Sequence, residues 1–416
     1  MSLQFSYKQT EIGRIPKEWE VERLGDISNQ RNEIVQPEQK RNDKFVGLEH
    51  LEKGETKIKA YGLASGVISS KFRFFPGDIL YGKLRPYLDK AVIADFSGIC
   101  STDLVVIDQD KKKVYPNFLI YIIHSPNFIS HAISTTSGTN HPRTSWNAIA
   151  KFKLGLPPFS EQKIIAEILS TVDQAIEKVD EAIEKTQRLK KGLMQELLTK
   201  GIGHKEFKET EIGRIPKDWE IVKISKLGKI ITGGTPSTAN NMYWNGSIPF
   251  ITPADIKEDK YVYQTERYIT SEGAKKIGFI LPTNTVLVVC IGSTIGKTGI
   301  TYGESVINQQ INAIICNGEV NENYVYYAIT FRADSLKSFS GIAAVPIIKK
   351  SLFEQFKIPL PPLPEQQKIA EILSTVDKRL ELLRKRKKKL EMVKKGLMGD
   401  LLTGKVRVTK LLSSKM

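Results

Sequence analysis

The chain has 416 residues, and its 62 lysines and arginines outnumber its 46 aspartates and glutamates, which gives a formal net charge of +16. A chain of this length favours two or three domains, each large enough to bury its own core. The positive surplus predicts a polyanionic partner, with nucleic acid as the first candidate. A generally basic protein without such a partner is the alternative.

Three scattered cysteines without a CxxC pair argue against a disulfide framework and a zinc ribbon, and they suit a reducing compartment; they are Cys100, Cys290 and Cys316. The amino-terminal residues lack an apolar signal core, and no run approaches the roughly 18 apolar residues of a membrane span. We therefore predict a soluble protein of the cytoplasm, with no membrane partner.

The same short motif opens each half of the chain. Residues 10–20 read TEIGRIPKEWE and return at 210–220 as TEIGRIPKDWE. Because Gly and Pro interrupt regular structure, we predict an ordered loop in which Trp19 or Trp219 packs before a strand begins. A structural role is favoured over a binding site for this motif.

A β-rich stretch follows in each half. Residues 72–81 and 279–289 each contain an apolar strand, a turn and a second apolar strand. Aligning the two stretches brings Lys90 onto Lys297, while the loops around them differ. We therefore predict two copies of one fold with divergent loops.

A long helix ends each half, and it is also duplicated. The sequence IAEILSTVD at 165–173 reappears at 369–377, and GLM at 192–194 reappears at 396–398. Each helix begins after Pro-Pro with a Glu-Gln pair, which places a carboxylate in the first turn, where the helix dipole favours it.

Apolar residues in both helices alternate between steps of three and four, which is typical of a coiled-coil seam. Thr186 and Lys190 interrupt the first seam, and Lys387 and Lys394 interrupt the second. Two seams of equal length should pack on each other, although each helix could instead pack only on its own domain. The predicted seam residues are Ile165, Leu169, Val172, Ile176, Val179, Ile183, Leu193, Leu197, Ile369, Leu373, Val376, Leu380, Leu383, Leu390, Leu397 and Leu401.

These patterns together predict an α/β (α+β) fold. Two similar β-rich domains are separated by two long helices that form an antiparallel coiled coil with pseudo-two-fold symmetry. The predicted ranges are 1–157 for the first domain, 158–203 for the central helix, 204–360 for the second domain, 361–404 for the carboxy-terminal helix and 405–416 for a basic tail.

Known catalytic motifs are missing from the sequence. There is no GxGxxG after a strand, no GxxxxGK[ST], no HExxH and no Asn-Pro-Pro-aromatic or Asp-Pro-Pro-Tyr tetrapeptide of an amino-methyltransferase. Residues 292–298 superficially resemble a phosphate loop but lack its spacing, and five histidines without a convincing cluster make a metal site unlikely. We predict a non-catalytic chain that binds no metal and no cofactor.

The paired Pro-Pro, Glu-Gln, Ile-Ala-Glu-Ile-Leu helices, each following a β-rich domain that opens on IPxxWE, resemble the DNA-specificity subunit of type I restriction-modification systems. The resemblance covers nearly the whole chain. It implies two target-recognition domains, each of which reads one half of a split, asymmetric DNA sequence. It also implies two modification subunits that bind S-adenosylmethionine and methylate adenine, and two restriction subunits that use ATP and magnesium.

Base readout is expected in the loops that differ between the copies, because the two halves of such a target differ. Arg suits the O6 and N7 atoms of guanine, and Asn or Gln suits N6 and N7 of adenine. The candidates in the first domain are Lys83, Arg85, Tyr87, Asn140, His141, Arg143 and Thr144. Those in the second are Thr235, Ser237, Asn240, Ser293, Thr294, Lys297, Gln309 and Gln310.

A different class of function stays open from the residues alone. The chain could be a coiled-coil adaptor whose duplicated domains bind protein, with the positive charge incidental and no sequence-specific DNA readout. Under the DNA-binding hypothesis, the helices would set the spacing between the two half-sites, because domains held rigidly apart can reach only grooves about one helical turn, roughly 34 Å, from each other.

Overall fold

The computed structural model describes residues 6–37, 42–340 and 346–408. Parts of both predicted domains and most of the predicted basic tail lie outside the described residues, namely 1–5, 38–41, 341–345 and 409–416. The chain divides into two compact units, the first Met1–Lys178 with Lys388–Met416 and the second Val179–Lys387. Within the described ranges, no helix is both long enough and apolar enough to span a membrane.

The first unit contains short strands, small helices and parts of two long helices. Its strands are β1 Tyr7–Thr10, β2 Gly13–Pro16, β3 Glu20–Arg23, β4 Ser28–Gln30, β5 Ile34–Val35, β6 Lys44–Val46, β7 Gly62–Leu63, β8 Lys71–Phe74, β9 Ile79–Gly82, β10 Ala91–Ile93, β11 Gly98–Cys100, β12 Leu104–Gln109 and β13 Lys153–Leu156. Its small helices are α1 Leu24–Ile27, α2 Pro116–Ile123, α3 Pro126–Ser134 and α4 Trp146–Ile149, and the first long helix is α5 Phe159–Leu197.

The second unit repeats this plan. Its strands are β14 Phe207–Lys208, β15 Ile215–Pro216, β16 Glu220–Lys223, β17 Gly228–Thr232, β18 Trp244–Ile251, β19 Tyr261–Val262, β20 Arg267–Ile269, β21 Val286–Val289, β22 Thr298–Thr301, β23 Val306–Ile307, β24 Ile311–Cys316 and β25 Lys357–Leu360. Its helices are α6 Ser271–Ile277, α7 Glu322–Phe331, α8 Ala333–Ser338 and α9 Lys350–Phe353, and the second long helix is α10 Leu363–Leu401.

The central sheet has the same strand order in both units. It runs β10-β9-β12-β4 in the first unit and β22-β21-β24-β17 in the second, where β19 extends the edge next to β22. The strands β9 and β21 are buried along their whole length, which fits their continuous apolar sequence. The second sheet differs, with five strands in the order β5-β8-β11-β6-β7 and three in the order β20-β18-β23. The copies therefore share a core sheet and diverge beyond it.

A carboxylate, buried in the first unit and half-buried in the second, joins each opening motif to a long helix. Glu161 in the first turn of α5 is 1% exposed, and its Oε2 accepts a hydrogen bond of 3.0 Å from Nε1 of Trp19. Glu365 in the first turn of α10 accepts the same bond, also 3.0 Å, from Nε1 of Trp219. Both indoles are fully buried. Each tryptophan thus ties its globular part to the start of a helix.

A nitrogen-bearing side chain completes each of these contacts. Arg407 forms two hydrogen bonds to Glu161, from Nε at 2.8 Å and from Nη2 at 3.0 Å. In the second unit, His204 Nε2 lies 2.9 Å from Oε1 of Glu365 and occupies the corresponding place. Because an unpaired buried carboxylate is costly, these partners are needed for the helix starts to stay buried.

The neighbouring glutamine has a second linking role. Gln162 donates from Nε2 to the carbonyl oxygens of Pro157 and Lys113, and its Oε1 accepts from the backbone of Tyr115. Gln366 repeats two of these contacts, with Pro361 and with the backbone of Asn321. The Glu-Gln pair, interpreted from sequence as a favourable helix start, therefore also docks the helix on the domain.

Within each unit the two long helices pack antiparallel. In the first unit the start of α5 and the end of α10 share one apolar cluster, which includes Ile165, Leu169 and Leu401. In the second unit the end of α5 shares a cluster with the start of α10, including Leu197 and Ile369. All of the predicted seam residues are buried or half-buried. Their assignment to one continuous seam remains a prediction.

The lysines that interrupt the apolar pattern have paired partners. Lys190 Nζ lies 2.6 Å from Asp377 Oδ1 in the second unit, and Tyr327 donates to the other oxygen of that carboxylate at 2.6 Å. Lys394, Asp173 and Tyr121 form the same trio in the first unit, with both distances 2.7 Å. Burial raises the pKa of both tyrosines well above the ordinary range, so they act as neutral donors. Lys190 and Lys394, which interrupt the apolar pattern, thus form ion pairs with the other long helix.

The expected fold class is confirmed: the structure is a mixed α/β fold with two repeated domains and two long helices that pair antiparallel. The repeat made this outcome predictable, because both copies follow the same order of strands and helices.

Replacing Asp377 with alanine should lower the free energy of unfolding by about 2 to 4 kcal/mol, because it leaves the Lys190 ammonium without its ion-pair partner and removes the shorter of the two hydrogen bonds of the Tyr327 hydroxyl. Chemical denaturation of the full chain measures this. The double variant Asp377→Leu with Lys190→Leu is the control and should recover most of the loss. An unchanged midpoint for Asp377→Ala would contradict a stabilising role of the trio.

Candidate nucleic-acid interface

Two predicted recognition loops of the first unit lie side by side. Leu84 and Arg143 pair as an isolated antiparallel bridge, and the amide of Thr144 donates to the carbonyl of Lys83 at 3.0 Å. The amide of Arg85 donates to the carbonyl of Pro142 at 2.7 Å. Residues 83–87 and 140–144 therefore form one surface, although they are far apart in sequence.

The side chains of this surface differ in how accessible they are. Tyr87, Asn140 and His141 are exposed, while Lys83 and Arg85 are half-buried. Arg143 is 44% exposed and donates from Nε to Asp103 Oδ1 at 3.1 Å, which holds the guanidinium in one orientation. Asp103 was not among the residues singled out from the sequence.

Thr144 differs from the other candidates, because its side chain does not reach the surface. It is 4% exposed, and its hydroxyl lies 2.9 Å from the hydroxyl of Thr135. The alternation of side chains next to the bridge at Arg143 turns Thr144 inward. It positions the loop and presents no free group to a ligand.

Backbone conformation fixes the turn that carries Tyr87. Arg85 and Asp89 both have φ of 51°, a left-handed conformation that ordinary residues adopt at a cost. The side chain of Asp89 compensates by bonding Nδ1 of the buried His124 at 2.7 Å. The other ring nitrogen of His124 lies 3.0 Å from the carbonyl oxygens of Glu55 and Ala91. A buried histidine thus anchors this turn.

In the second unit, one indole organises the predicted loop 235–240. Trp244 Nε1 donates to the carbonyl of Ser237 at 3.1 Å, and the Asn240 side chain caps the next turn by accepting from the amide of Met242 at 3.0 Å. The hydroxyl of Thr235 donates to Oε1 of Gln309. The structure therefore brings Thr235 and Gln309 together, and both are exposed.

The loop 293–297 forms a separate part of this surface. Ser293 and Thr294 are exposed, but Lys297 is half-buried and donates from Nζ to the carbonyl of Pro253 at 3.0 Å. Gln310 accepts from the Asn308 side chain at 2.9 Å, so both Gln310 and Lys297 already have internal partners. Among the described residues, no hydrogen bond joins 293–297 to 235–240.

Arg267 is a further exposed cation that the sequence did not single out. Its guanidinium lies 3.6 Å from the centre of the Trp244 ring, which also holds the 235–240 loop. No ion pair with a carboxylate is recorded for it in the part of the chain that the structure describes. Stacking on an indole restricts a guanidinium while leaving its donors free. The pairing of β18 with β20 creates this contact, and spacing along the chain gives no sign of it.

Lys260 lies in a cavity of about 290 Å³ between β19 and α10 within the second unit. Its Nζ donates to Asn323 Oδ1 at 2.8 Å and to Ser374 Oγ at 2.9 Å. Burial lowers the pKa of Lys260 to about 8, although Asp377 nearby opposes the change. The amine is held by neutral acceptors, so its positive charge is poorly compensated.

The described residues contain no group of three or more His, Cys, Asp and Glu side chains that could hold a metal ion. Two of the histidines that lie near each other in sequence make internal contacts: His124 is bound to Asp89, and His131 lies 3.1 Å from the carbonyl of Ala148. What the exposed loops offer is amides, hydroxyls and guanidinium groups, which suit the hydrogen-bonding edges of bases and phosphate oxygens.

Comparison with known proteins gives a consistent result. The family described as type I restriction modification DNA specificity domain matches residues 16–185 and 216–392. A similar relative is the MjaVIII specificity subunit of a type I restriction enzyme from Methanocaldococcus jannaschii. It is 28% identical over 424 residues, which cover 98% of this chain and 97% of the relative.

Two solved structures have a similar fold. One is the S subunit of a type I restriction-modification system from M. genitalium, with a TM-score of 0.60 and 14% identity over 92% of this chain and 96% of that one. The other is a chain from a structure of a type I R-M system, with a TM-score of 0.58 and 19% identity over 94% and 99%. At these identities the likeness concerns the fold.

The stability difference between Lys260→Met and the parent chain should depend on pH. The unfolded chain keeps this proton up to about pH 10.4, whereas the folded chain loses it near about pH 8. Between these values the unfolded state binds more protons, so the parent gains stability as pH rises. The free energy of unfolding of Lys260→Met minus that of the parent should therefore be larger below about pH 8 than at pH 10.5. The expected change in this difference is up to about 3 kcal/mol.

Denaturation curves at several pH values from 7 to 10.5 measure this difference. Lys229→Met, at an exposed lysine of the same unit, is the control and should give a nearly constant difference. If the difference in free energy of unfolding between Lys260→Met and the parent does not change with pH, burial of the charged amine does not destabilise the folded chain.

Proposed function

Because the chain belongs to the DNA-specificity subunits of type I restriction-modification systems, we propose that it reads a bipartite, asymmetric target with one half-site for each domain. As a member of this family it recognises the DNA target of its system, works together with the other subunits and is itself non-catalytic.

The observation that carries the bipartite proposal is a shared scaffold with different exposed loops. Both units have the same order of strands in the central sheet, yet 83–87 with 140–144 in the first unit and 235–240 with 293–297 in the second differ in sequence and in contacts. The shared core sheet carries both loop sets, and different side chains would give each loop set its own preference for bases. We propose residues 1–157 and 204–360 as the two recognition domains.

Arg143 is the side chain in the first domain best prepared for base contact. Asp103 holds its Nε, so the two terminal nitrogens remain as a planar pair of donors. That pair matches O6 and N7 of guanine, and a phosphate could accept the same bonds without sequence preference. Arg267 on Trp244 offers a comparable pair in the second domain.

We further propose that the chain directs two modification subunits and two restriction subunits to the bound site. The modification subunits would bind S-adenosylmethionine and methylate adenine, and the restriction subunits would use ATP and magnesium. These activities belong to the partners, and we expect no cofactor on this chain. The proposed location is the cytoplasm, where DNA and these subunits meet.

The helices at 158–203 and 361–404 are proposed to set the spacing of the half-sites. Each of α5 and α10 has 39 residues, which corresponds to a rod of about 58 Å. A pair of packed helices is stiff on this scale, so a change in its length should change the distance between the sequences that are read.

Arg143→Ala should relax or abolish recognition of one half-site and leave the other intact, with a loss of about 1 to 3 kcal/mol for the preferred base. Selection of bound sites from random DNA by the assembled complex measures this. Lys111→Ala is the control, because it removes an exposed charge of the same unit outside these loops. Equal weakening on all sequences would instead identify a phosphate contact.

Deleting one heptad from each long helix should shorten the accepted spacer or abolish binding, since seven residues correspond to about 10 Å. The same selection reports spacer length directly. Deleting the heptad from only one helix is the comparison, because it breaks the register of the pair and should destabilise the chain. If the chain that lacks one heptad in each helix is stable and still selects the parent's spacer length, the helices do not set the spacing of the half-sites.

A further inference from the structure

A groove of about 210 Å³ lies beside the opening motif of the second unit. Its walls are mostly apolar and come from the end of α5, the motif itself and the end of α7, including Leu198, Ile212 and Phe331. The two charged side chains that line it, Arg214 and Arg332, are both positive. The groove is therefore apolar and cationic.

Neither arginine has a carboxylate partner among the described residues. Arg332 is half-buried, donates from Nη1 to the carbonyl of Ile212 at 3.2 Å, and leaves its buried Nε without a hydrogen bond. Burial lowers the pKa of Arg332, and no opposing charge is near enough to offset this. Arg214 is exposed and lies over the Phe207 ring at 4.9 Å.

Two acidic residues that adjoin groove-lining residues in sequence, Glu211 and Glu196, are already paired, and within the described ranges the exposed Asp334, two residues after Arg332, forms no ion pair with it. Glu211 accepts from Lys357 at 2.6 Å, and Glu196 accepts from Lys200 at 3.0 Å. Because a desolvated guanidinium without an anion is unfavourable, the free chain carries an unmet requirement for negative charge at this place.

The corresponding groove of the first unit lacks this requirement. It is lined by the equivalent residues Ile12, Arg14 and Leu402, but Pro126 stands where the second unit has Arg332. The repeat therefore preserves the first arginine and part of the apolar wall, whereas Ser125 stands where the second unit has Phe331. The half-buried arginine is an addition specific to the second unit, and the repeated scaffold does not need it.

We propose that the groove of the second unit binds an acidic segment of a partner subunit, with a carboxylate between Arg214 and Arg332 and an apolar side chain against Leu198 and Phe331. A carboxylate supplies two acceptors that match the planar donors of a guanidinium. The apolar walls favour a peptide over a DNA phosphate, because phosphate contacts lie on polar, hydrated surfaces. The inference rests on the proposed assembly with partner subunits.

The test uses the full chain with the modification subunit of its system, and then the assembled methyltransferase with the restriction subunit. Arg332→Gln removes the charge and keeps a donor for the Ile212 carbonyl. Arg214→Gln changes an exposed side chain that makes no hydrogen bond with any residue that the structure describes. Lys226→Gln is the control, since it removes one exposed charge of the same unit outside the groove. Isothermal titration gives the affinities, and thermal melting of the free chain gives stability.

We expect both arginine variants to weaken binding of one partner subunit roughly ten- to hundredfold, with Lys226→Gln unchanged. We also expect Arg332→Gln to melt at the same temperature as the parent or higher, because it removes an uncompensated charge. Parent-like affinity of both arginine variants for both subunits would overturn the groove proposal and leave the proposed function standing. A parent chain that binds neither the subunits nor DNA would overturn the proposed function itself.

If the two arginine variants change the affinity for DNA and leave the affinity for the subunits unchanged, the groove proposal is also overturned, because Arg214 and Arg332 would then contact DNA. Filter binding of the free chain at two salt concentrations separates this outcome.

Discussion

Each unit depends on the hydrogen bonds made by the carboxylate in the first turn of a long helix. Glu161 and Glu365 are held by an indole from the opening motif and by a second side chain, the guanidinium of Arg407 or the imidazole of His204. The contact joins three parts of the chain at one point: the start of a domain, the start of one helix and the segment after the other. A carboxylate that is shielded from water is unfavourable unless its hydrogen-bond partners are present, so all three parts must be in place together.

The same principle explains which parts of the repeat are preserved. Trp19, Glu161 and Gln162 recur as Trp219, Glu365 and Gln366, and their hydrogen bonds are internal to each unit. The exposed loops carry different side chains in the two units. A duplicated scaffold of this kind can present two unrelated sets of polar groups without changing the core.

The positive charges of the chain fall into different physical groups. Lys190 and Lys394 are paired with aspartates inside the helix pairs and stabilise them. Arg267 and Arg332 have no carboxylate partner in the described part of the chain, and one is stacked on an indole while the other is half-buried. A net charge of +16 is therefore no measure of the surface available to DNA.

The duplication, the long helices and their tendency to pair could be predicted from the sequence, because repeats and heptads are local patterns that can be recognised without knowledge of distant contacts. Sequence comparison of the two halves also pointed to the loops that contain Arg143 and Thr235. The contacts that these residues make depend on the folded arrangement. Thr144 turns inward, Asp103 orients Arg143, and the lysines that seemed to interrupt the seam meet aspartates on the other helix. Each of these depends on a contact between residues distant in sequence, and spacing along one chain carries no information about such contacts.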